Sequence, residues 1–364
     1  MKSSDDRVGS PVLFSGHLLT AGDAAPDALE AAERSIARNI GSWLDKHRIS
    51  EAFSALACGS DIIFAERAIE RDIPFHVVLP VTVPRFADLS VAIGNGACIR
   101  TNWVERYHSC LGNAASVLEL WSADVPDEEL DFHFRNCNRH MVGETILSAI
   151  RAAQPPLMLA VMHADAPATI AGTRGALSEY EALGLRADVI ASLILRAPKS
   201  GAGNPLRQDP FSPIVLAISA DSQAGARAPE FLAHQGFEPA PADTGNVAAF
   251  HYAEDFSQAL NAAASAAAKA DEAGMQLQFV CDFGPVSCAN GPTGLDRLNG
   301  ASGWIGEALP GDIVASRAFV MQHLARGGRV ERYAVHMPAG EQLEPFQARR
   351  SLFRVANGEG RPDD

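Results

Sequence analysis

Short apolar segments alternate with amphipathic ones through the first half of the chain. The apolar runs Pro11–Phe14, Ala52–Leu56 and Phe75–Leu79 have the length of buried strands. Between them, Asp27–Trp43 and Asp61–Arg71 carry apolar residues at the three- and four-residue spacing of a helix. This alternation predicts a parallel sheet joined by right-handed crossovers.

The same pattern continues to about Leu195. It predicts further helices at Trp103–Leu111, Asp127–Arg151 and Gly175–Leu183, and further strands at Ser116–Leu120 and Leu157–Met162. The first domain, residues 10–195, is therefore predicted to be a Rossmann-like, doubly wound parallel sheet of the α/β class.

The second half has a different order of elements. Residues 196–212 are rich in Pro and Gly, which is typical of a linker. Residues 213–355 mix strands and helices without strict alternation, which predicts a smaller α+β domain with antiparallel pairing. The expected strands are Ile214–Ile218, Val247–Tyr252 and Gln276–Asp282, and the expected helices are Pro229–Gln235 and Phe256–Ala273. Residues 356–364 have the Gly, Asp and Glu content of a disordered tail.

Charge and composition narrow the classes of partner. The net charge is -14, the pI is about 5.2, and no block of Lys and Arg occurs. We therefore expect no nucleic acid and no membrane as partners, because both attract clustered positive charge. No run is long and apolar enough to cross a bilayer, Met1–Val8 is polar, and the six cysteines form no C-x-x-C pair. These features predict a cytoplasmic protein with reduced cysteines.

Three glycines lie where a predicted strand passes into a helix: Gly16, Gly59 and Gly172. Glycine lets the backbone approach a ligand, and the helix that follows offers free N–H groups to a phosphate. The carboxyl ends of parallel strands lie along one edge of the sheet, so the three junctions are predicted to converge. The alternative for each glycine alone is an ordinary turn residue.

Several polar residues next to these glycines have two interpretations each. His17 either contacts the ligand or caps a backbone group. Asp61 is placed to cap the second helix, and Glu66 either binds a ribose hydroxyl or is solvated. His133, Cys137 and His140 share one helix face, which suits a metal, but the pattern favours a core stripe with the histidines at its edges. We therefore predict no metal site.

Four stretches of the first half resemble the Rossmann-like nucleotide-sensing domains grouped with DprA and LOG-type proteins. They are Phe14–His17, Ala57–Glu66, the helix around Asn136 and Asn138, and Ala171–Arg174. The resemblance implies a nucleotide ligand and no other cofactor. It implies a binding site made of Gly16, His17, Gly59, Ser60, Asp61, Glu66, Gly172, Thr173 and Arg174. The Pro-Gly-Gly-x-Gly-Thr loop of the related phosphoribohydrolases is reduced here to Gly172-Thr173, which weakens a hydrolase interpretation.

The second half resembles the class III nucleotidyl cyclases, through Phe279–Val286 and Pro310–Phe319. The resemblance implies a ferredoxin-like domain. That family needs two aspartates for two metal ions, together with an Asn and an Arg. The matching positions here are Ser219 (or Asp221 after a slip), Asn246, Trp304 and Ala308, so the domain is expected to be catalytically impaired.

These observations lead to a hypothesis with two rivals. The protein is expected to be a regulatory sensor of a nucleotide or nucleotide derivative, and its cyclase-like half is expected to form a homodimer or an effector platform. The first rival is an adenylate or guanylate cyclase that is active alone or in a heterodimer. The second is a nucleoside-phosphate hydrolase that uses Glu66 and Thr173.

Overall fold

The computed structural model describes residues 9–20, 26–94, 102–121, 125–163, 172–192, 209–219, 222–240, 247–285, 313–329, 333–335 and 352–355. The chain forms two compact units. The first comprises Met1–Arg207 and Leu324–Gly327, and the second comprises Gln208–His323 and Gly328–Asp364. Most of the predicted linker 196–212 and the whole predicted tail 356–364 lie outside the described residues.

The first unit contains a six-stranded parallel sheet, which confirms the predicted Rossmann-like α/β fold. The strands run in the order β4-β3-β2-β1-β5-β6. They are β1 (Ser10–Gly16), β2 (Ile49–Ser54), β3 (Phe75–Leu79), β4 (Ser116–Glu119), β5 (Leu157–Met162) and β6 (Ala187–Ala191). The edge strand β6 was not among the predicted strands, although Val189–Ala191 is apolar. Its residues Asp188, Val189 and Ala191 are exposed.

Helices cover both faces of this sheet. They are α1 (Pro26–Lys46), α2 (Ser60–Ile69), α3 (Val83–Phe86), α4 (Trp103–Asn113), α5 (Leu130–Ala152) and α6 (Thr173–Ala182). The central strand β1 shows why its sequence is apolar at consecutive positions. Phe14 stacks on Phe64 of α2 with ring centroids 4.2 Å apart, whereas the neighbouring Leu13 belongs to the core cluster that contains Met141 of α5. A strand buried on both faces needs apolar side chains on both.

Two differences from the predicted elements have local causes. Strand β2 ends at Ser54 and not at Leu56, because the backbone turns there and Leu56 has a φ of 77°. Strand β3 ends at Leu79, as predicted, but helix α3 after it was not among the predicted elements. Pro84 lies in the first turn of that helix, where its missing N–H costs no hydrogen bond.

The second unit contains a mixed sheet of seven strands in the order β12-β13-β11-β10-β7-β9-β8. The strands are β7 (Phe211–Ser219), β8 (Glu238–Pro239), β9 (Val247–Tyr252), β10 (Leu277–Pro285), β11 (Ile313–Ser316), β12 (Tyr333–Val335) and β13 (Leu352–Val355). Strand β7 pairs antiparallel with β9 and β10, while β10 pairs parallel with β11. The predicted antiparallel component is therefore present.

Among the described residues of the second unit, three helices accompany the sheet: α7 (Ser222–Ala233), α8 (Phe256–Glu272) and α9 (Arg317–Leu324). The prediction that α7 begins at Pro229 is wrong, because the helix begins at Ser222 and contains that proline. Of the positions that match the cyclase metal and base ligands, Ser219 ends β7, and the others lie outside the described residues. Within the described ranges, no helix combines the length and apolar character needed to cross a membrane.

Candidate functional site

The ends of β1 and β5 bring two histidines together at the carboxyl edge of the first sheet. Gly16 is in register with Val161, and the N–H of His17 donates to the Val161 carbonyl at 2.9 Å. The backbone N–H of His163 donates to Nδ1 of His17 at 3.4 Å. His163 was not predicted, although it follows its strand as directly as His17 follows β1.

The N-terminus of α6 lies beside the same strand end. The hydroxyl of Ser15 donates to Oγ1 of Thr173, the first residue of α6, at 3.3 Å. Gly172 caps this helix in an extended conformation, so its backbone does not require glycine. The structure thus brings the predicted residues Gly16, His17, Gly172 and Thr173 to one place.

Arg174 completes a group that we call the basic cluster, made of His17, His163 and Arg174. Burial, together with the positive charges of Arg174 and His163, lowers the pKa of His17 from 6.5 to about 4. His17 is therefore neutral at pH 7. Because its Nδ1 faces the N–H of His163, its own proton is assigned to Nε2, which makes it a donor.

All three side chains of the basic cluster are half-buried. The Arg174 guanidinium and a helix N-terminus at one sheet edge create a positive potential. An anion placed there would gain hydrogen bonds and would relieve the repulsion that holds His17 neutral. The arrangement can therefore bind an anionic group.

Asp61 satisfies the backbone on the other side of β1. Its Oδ1 accepts the N–H of Gly16 at 2.8 Å, and its Oδ2 accepts the N–H of Ala57 at 3.1 Å. The carboxyl is buried, and burial raises its pKa to about 7, although both hydrogen bonds oppose the rise. The N–H groups of Gly16 and Ala57 are thus used internally, and an anion at the start of α2 would meet a carboxylate.

Close contacts within the protein explain why two of the predicted positions, 59 and 16, are occupied by glycine. Gly59 has a φ of 99°, and a Cβ on it would lie 2.4 Å from the backbone nitrogen of Leu19. A Cβ on Gly16 would lie 2.3 Å from Cβ of Ser60. The Ser60 side chain is fully buried, so its hydroxyl reaches no ligand without movement of the turn around it.

Glu66 faces away from the start of α2 and contacts α4. Its two carboxylate oxygens accept from Arg106 Nε and Nη2 at 2.7 and 2.6 Å, and Arg106 Nη1 also donates to Glu33 of α1 at 2.5 Å. Thr173 is hydrogen-bonded to Ser15 of β1, whereas Glu66 is hydrogen-bonded to Arg106 of α4. These hydrogen bonds therefore do not link the two residues that the hydrolase interpretation needs. The sequence showed Glu66 only as a charged residue on a helix and could not identify its partner.

The helix face that was considered for a metal is turned into the protein. Cys137 is buried, and its Sγ donates to the Val78 carbonyl at 3.4 Å, while Nε2 of His140 lies 3.1 Å from Oε1 of Glu144. Among the described residues no group of three or more potential ligands has the geometry of a metal site. The four cysteines for which the structure gives a bonding state, Cys58, Cys110, Cys137 and Cys281, are free and buried, as predicted.

Comparison with known proteins gives only weak similarity, and only to solved structures. No family model and no curated protein matches the chain. Among solved structures, the X-ray structure of DNA processing protein A (DprA) from Streptococcus pneumoniae aligns at 15% identity with a TM-score of 0.26. The alignment covers 51% of this chain and 60% of that one. It concerns the Rossmann-like fold alone, so the resemblance of the second half to cyclases stays a prediction.

The prediction that nucleic acid is excluded as a partner is wrong. It came from the net charge of -14, whereas the matched structure is that of a DNA processing protein. Net charge is a sum over the whole chain and does not report local potential. Folding gathers His17, His163 and Arg174, which are far apart in the sequence, and a count of Lys and Arg blocks misses such a cluster.

Proposed function

We propose that the first unit binds a nucleotide or nucleotide-derived signal through a phosphate group at the basic cluster, and that it serves as a regulatory sensor. The observation that carries the proposal is the meeting of His17, His163 and Arg174 beside the N-terminus of α6. These groups come from three different elements, so their proximity is a property of the fold and not of one segment.

The position of the cluster supports a nucleotide as the ligand. Open parallel sheets bind ligands outside the carboxyl ends of their strands, and phosphates in such sites approach helix N-termini. The basic cluster lies at the carboxyl ends of β1 and β5, and α6 begins there. A phosphate would accept from Nε2 of His17, the Arg174 guanidinium and the first N–H groups of α6.

Two carboxylates of α2, those of Glu66 and Asp61, support binding rather than hydrolysis. Base release from a nucleotide needs a carboxylate at the sugar. Both oxygens of Glu66 accept from Arg106, and both oxygens of Asp61 accept backbone N–H groups. We also propose that the protein acts in the cytoplasm, where its free, buried cysteines stay reduced.

Isothermal titration with AMP, ADP, ATP, GTP, cyclic AMP and NAD tests the proposal. At least one of these nucleotides is expected to bind. The variant Arg174→Gln is expected to bind it at least about tenfold more weakly, because one charge-assisted hydrogen bond is lost.

The matched control is Arg34→Gln. Arg34 lies on α1, its side chain is 68% exposed, and it pairs with Glu30 at 3.5 Å. This change removes the same charge from the chain but not from the cluster, so affinity is expected to stay within twofold. Equal weakening by both variants, or no binding of any nucleotide to the wild-type protein, would refute the proposal.

A further inference from the structure

Asp61 places a buried carboxylate one residue away from the basic cluster. The carboxylate holds the N–H of Gly16, and the next residue is His17, whose side chain belongs to the cluster. The His17 backbone is fixed as well, by its own N–H to the Val161 carbonyl and by Ser60 N–H to its carbonyl at 3.4 Å. Neither the carboxylate nor the cluster can therefore retreat far from the other.

An anion in the cluster raises the free energy of an ionised Asp61, because the buried carboxylate is held at Gly16, the residue before His17, and like charges repel in a region of low dielectric. Reciprocity of linked equilibria requires the converse. An anion binds more tightly when Asp61 is protonated than when it is ionised. The geometry thus couples ligand binding to one proton.

We propose that Asp61 is a regulatory residue and not a ligand contact: anion binding at the basic cluster takes up a proton at Asp61, and affinity rises as pH falls through neutrality. This inference rests on the proposed function, since it concerns the same site. The ligand class is an anionic phosphate group, and the proton is the second, regulatory ligand.

The pKa of the Asp61 carboxyl lies close to neutral pH. Burial raises the pKa of Asp61 to about 7, so the free protein holds both forms at neutral pH. When one carboxyl oxygen of Asp61 is protonated, its O–H faces the N–H of Gly16 or of Ala57, and two donors cannot hydrogen-bond to each other. One of these two hydrogen bonds is then lost and the other remains.

The titratable and charged groups around Asp61 come from three sides. The thiols of Cys58, in the turn before α2, and of Cys137, on α5, have pKa values raised by burial and by the Asp61 charge, so both stay neutral. On the side of β1 and α6, the pKa of free His17 is about 4, and His163 and Arg174 complete the cluster. The pKa values of His17 and of the two thiols thus lie well away from that of Asp61.

The variant Asp61→Asn tests the inference, because it removes the charge and keeps the size of the side chain. Cyclic AMP and sulfate are suitable probes, since neither gains or loses a proton between pH 6 and 8. The wild-type protein is expected to bind them about tenfold more tightly at pH 6 than at pH 8. Asp61→Asn is expected to bind as tightly at pH 8 as the wild-type protein does at pH 6, with little change across the range.

A second measurement does not depend on the variant folding. Titration calorimetry of the wild-type protein at pH 7.5, in two buffers of different ionisation enthalpy, reports protons taken up on binding. Net uptake is expected with either probe. Absence of net uptake by the wild-type protein would overturn the inference. Uptake that persists in folded Asp61→Asn would assign the proton to a histidine of the basic cluster and would overturn it as well.

The outcomes separate the two proposals. A pH-independent affinity, no proton uptake, or weaker binding by folded Asp61→Asn at pH 8 overturns the role of Asp61 and leaves the anion site intact. Absence of binding by both the wild-type protein and Arg174→Gln removes the site itself, and the proton linkage with it.

Discussion

Gly16 and Ser60 lie so close that a Cβ on Gly16 would be 2.3 Å from Cβ of Ser60. Both atoms are fixed, one by strand β1 and the other by the start of α2. We therefore expect Gly16→Ala to lower the free energy of unfolding by about 1–3 kcal/mol, the usual effect of overpacking a tight contact. Urea denaturation followed by far-UV circular dichroism measures this.

Gly112→Ala is the matched control for that change. Gly112 is on α4, and a Cβ there meets no atom within 4 Å. Alanine favours a helix, so stability is expected to stay the same or to rise by about 0.5–1 kcal/mol. Equal responses of the two variants would contradict the close contact at Gly16.

Gly59 combines a steric contact with a backbone conformation that other residues avoid. Its φ is 99° and its ψ is -121°, and a Cβ would lie 2.4 Å from the Leu19 nitrogen. Gly59→Ala is expected to destabilise the fold by about 3 kcal/mol or more, since strain and overpacking add. Thermal denaturation against Gly184→Ala separates the two causes. Gly184 has a φ of 76° with no atom within 4 Å, so only about 1–2 kcal/mol is expected there.

Glu66 is expected to serve stability and not ligand binding. Glu66→Gln removes the charge from a two-point contact with Arg106, in which the side chains are 27% and 22% exposed. Partial exposure limits the loss to about 1 kcal/mol. Nucleotide affinity measured by calorimetry is expected to stay within twofold.

Glu70→Gln provides the comparison for Glu66→Gln. Glu70 follows α2 directly and pairs with Arg67 of that helix at 2.8 Å, but its side chain is 49% exposed. Stability is therefore expected to change by less than about 0.5 kcal/mol. Loss of nucleotide binding in Glu66→Gln at unchanged stability would instead support contact between Glu66 and the ligand.

The lowered pKa of His17 predicts loss of stability in acid. Unfolded His17 titrates near 6.5 and folded His17 near 4, so the unfolded chain binds the proton first as pH falls. The contribution of His17 is therefore complete above pH 6.5 and is lost as pH falls towards 4. His17→Asn is expected to show a weaker fall of stability across this window than the wild-type protein.

Two other histidines make this prediction specific. His133 has a pKa lowered to about 4 by burial, so part of the acid loss is expected to persist in His17→Asn. His108 is exposed on α4, and His108→Asn is expected to leave the slope unchanged. Urea midpoints between pH 4 and 7.5 measure all three proteins, and an identical slope in His17→Asn would contradict the burial of His17 beside two positive groups.

The order of the elements in the first unit was predictable because it depends on local pattern. A run such as Pro11–Phe14 is apolar at successive positions only when both faces of a strand are covered, which points to an inner strand of a parallel sheet. The predicted and observed bounds agree at Phe75–Leu79 and Leu157–Met162. The prediction was wrong where one residue type has two uses: Pro229 indicates the start of a helix but lies inside α7.

The sequence by itself determined the alternation of strands and helices, and with it the edge where Gly16, Gly59 and Gly172 were expected to meet. Side-chain partners were decided only by the tertiary structure. Asp61 accepts the N–H of Gly16, Glu66 accepts from Arg106, and the N–H of His163 donates to His17. Each of these contacts connects two different segments of the chain. Spacing along a chain reports periodicity, whereas charge pairing depends on distances between segments that only the folded sheet brings together.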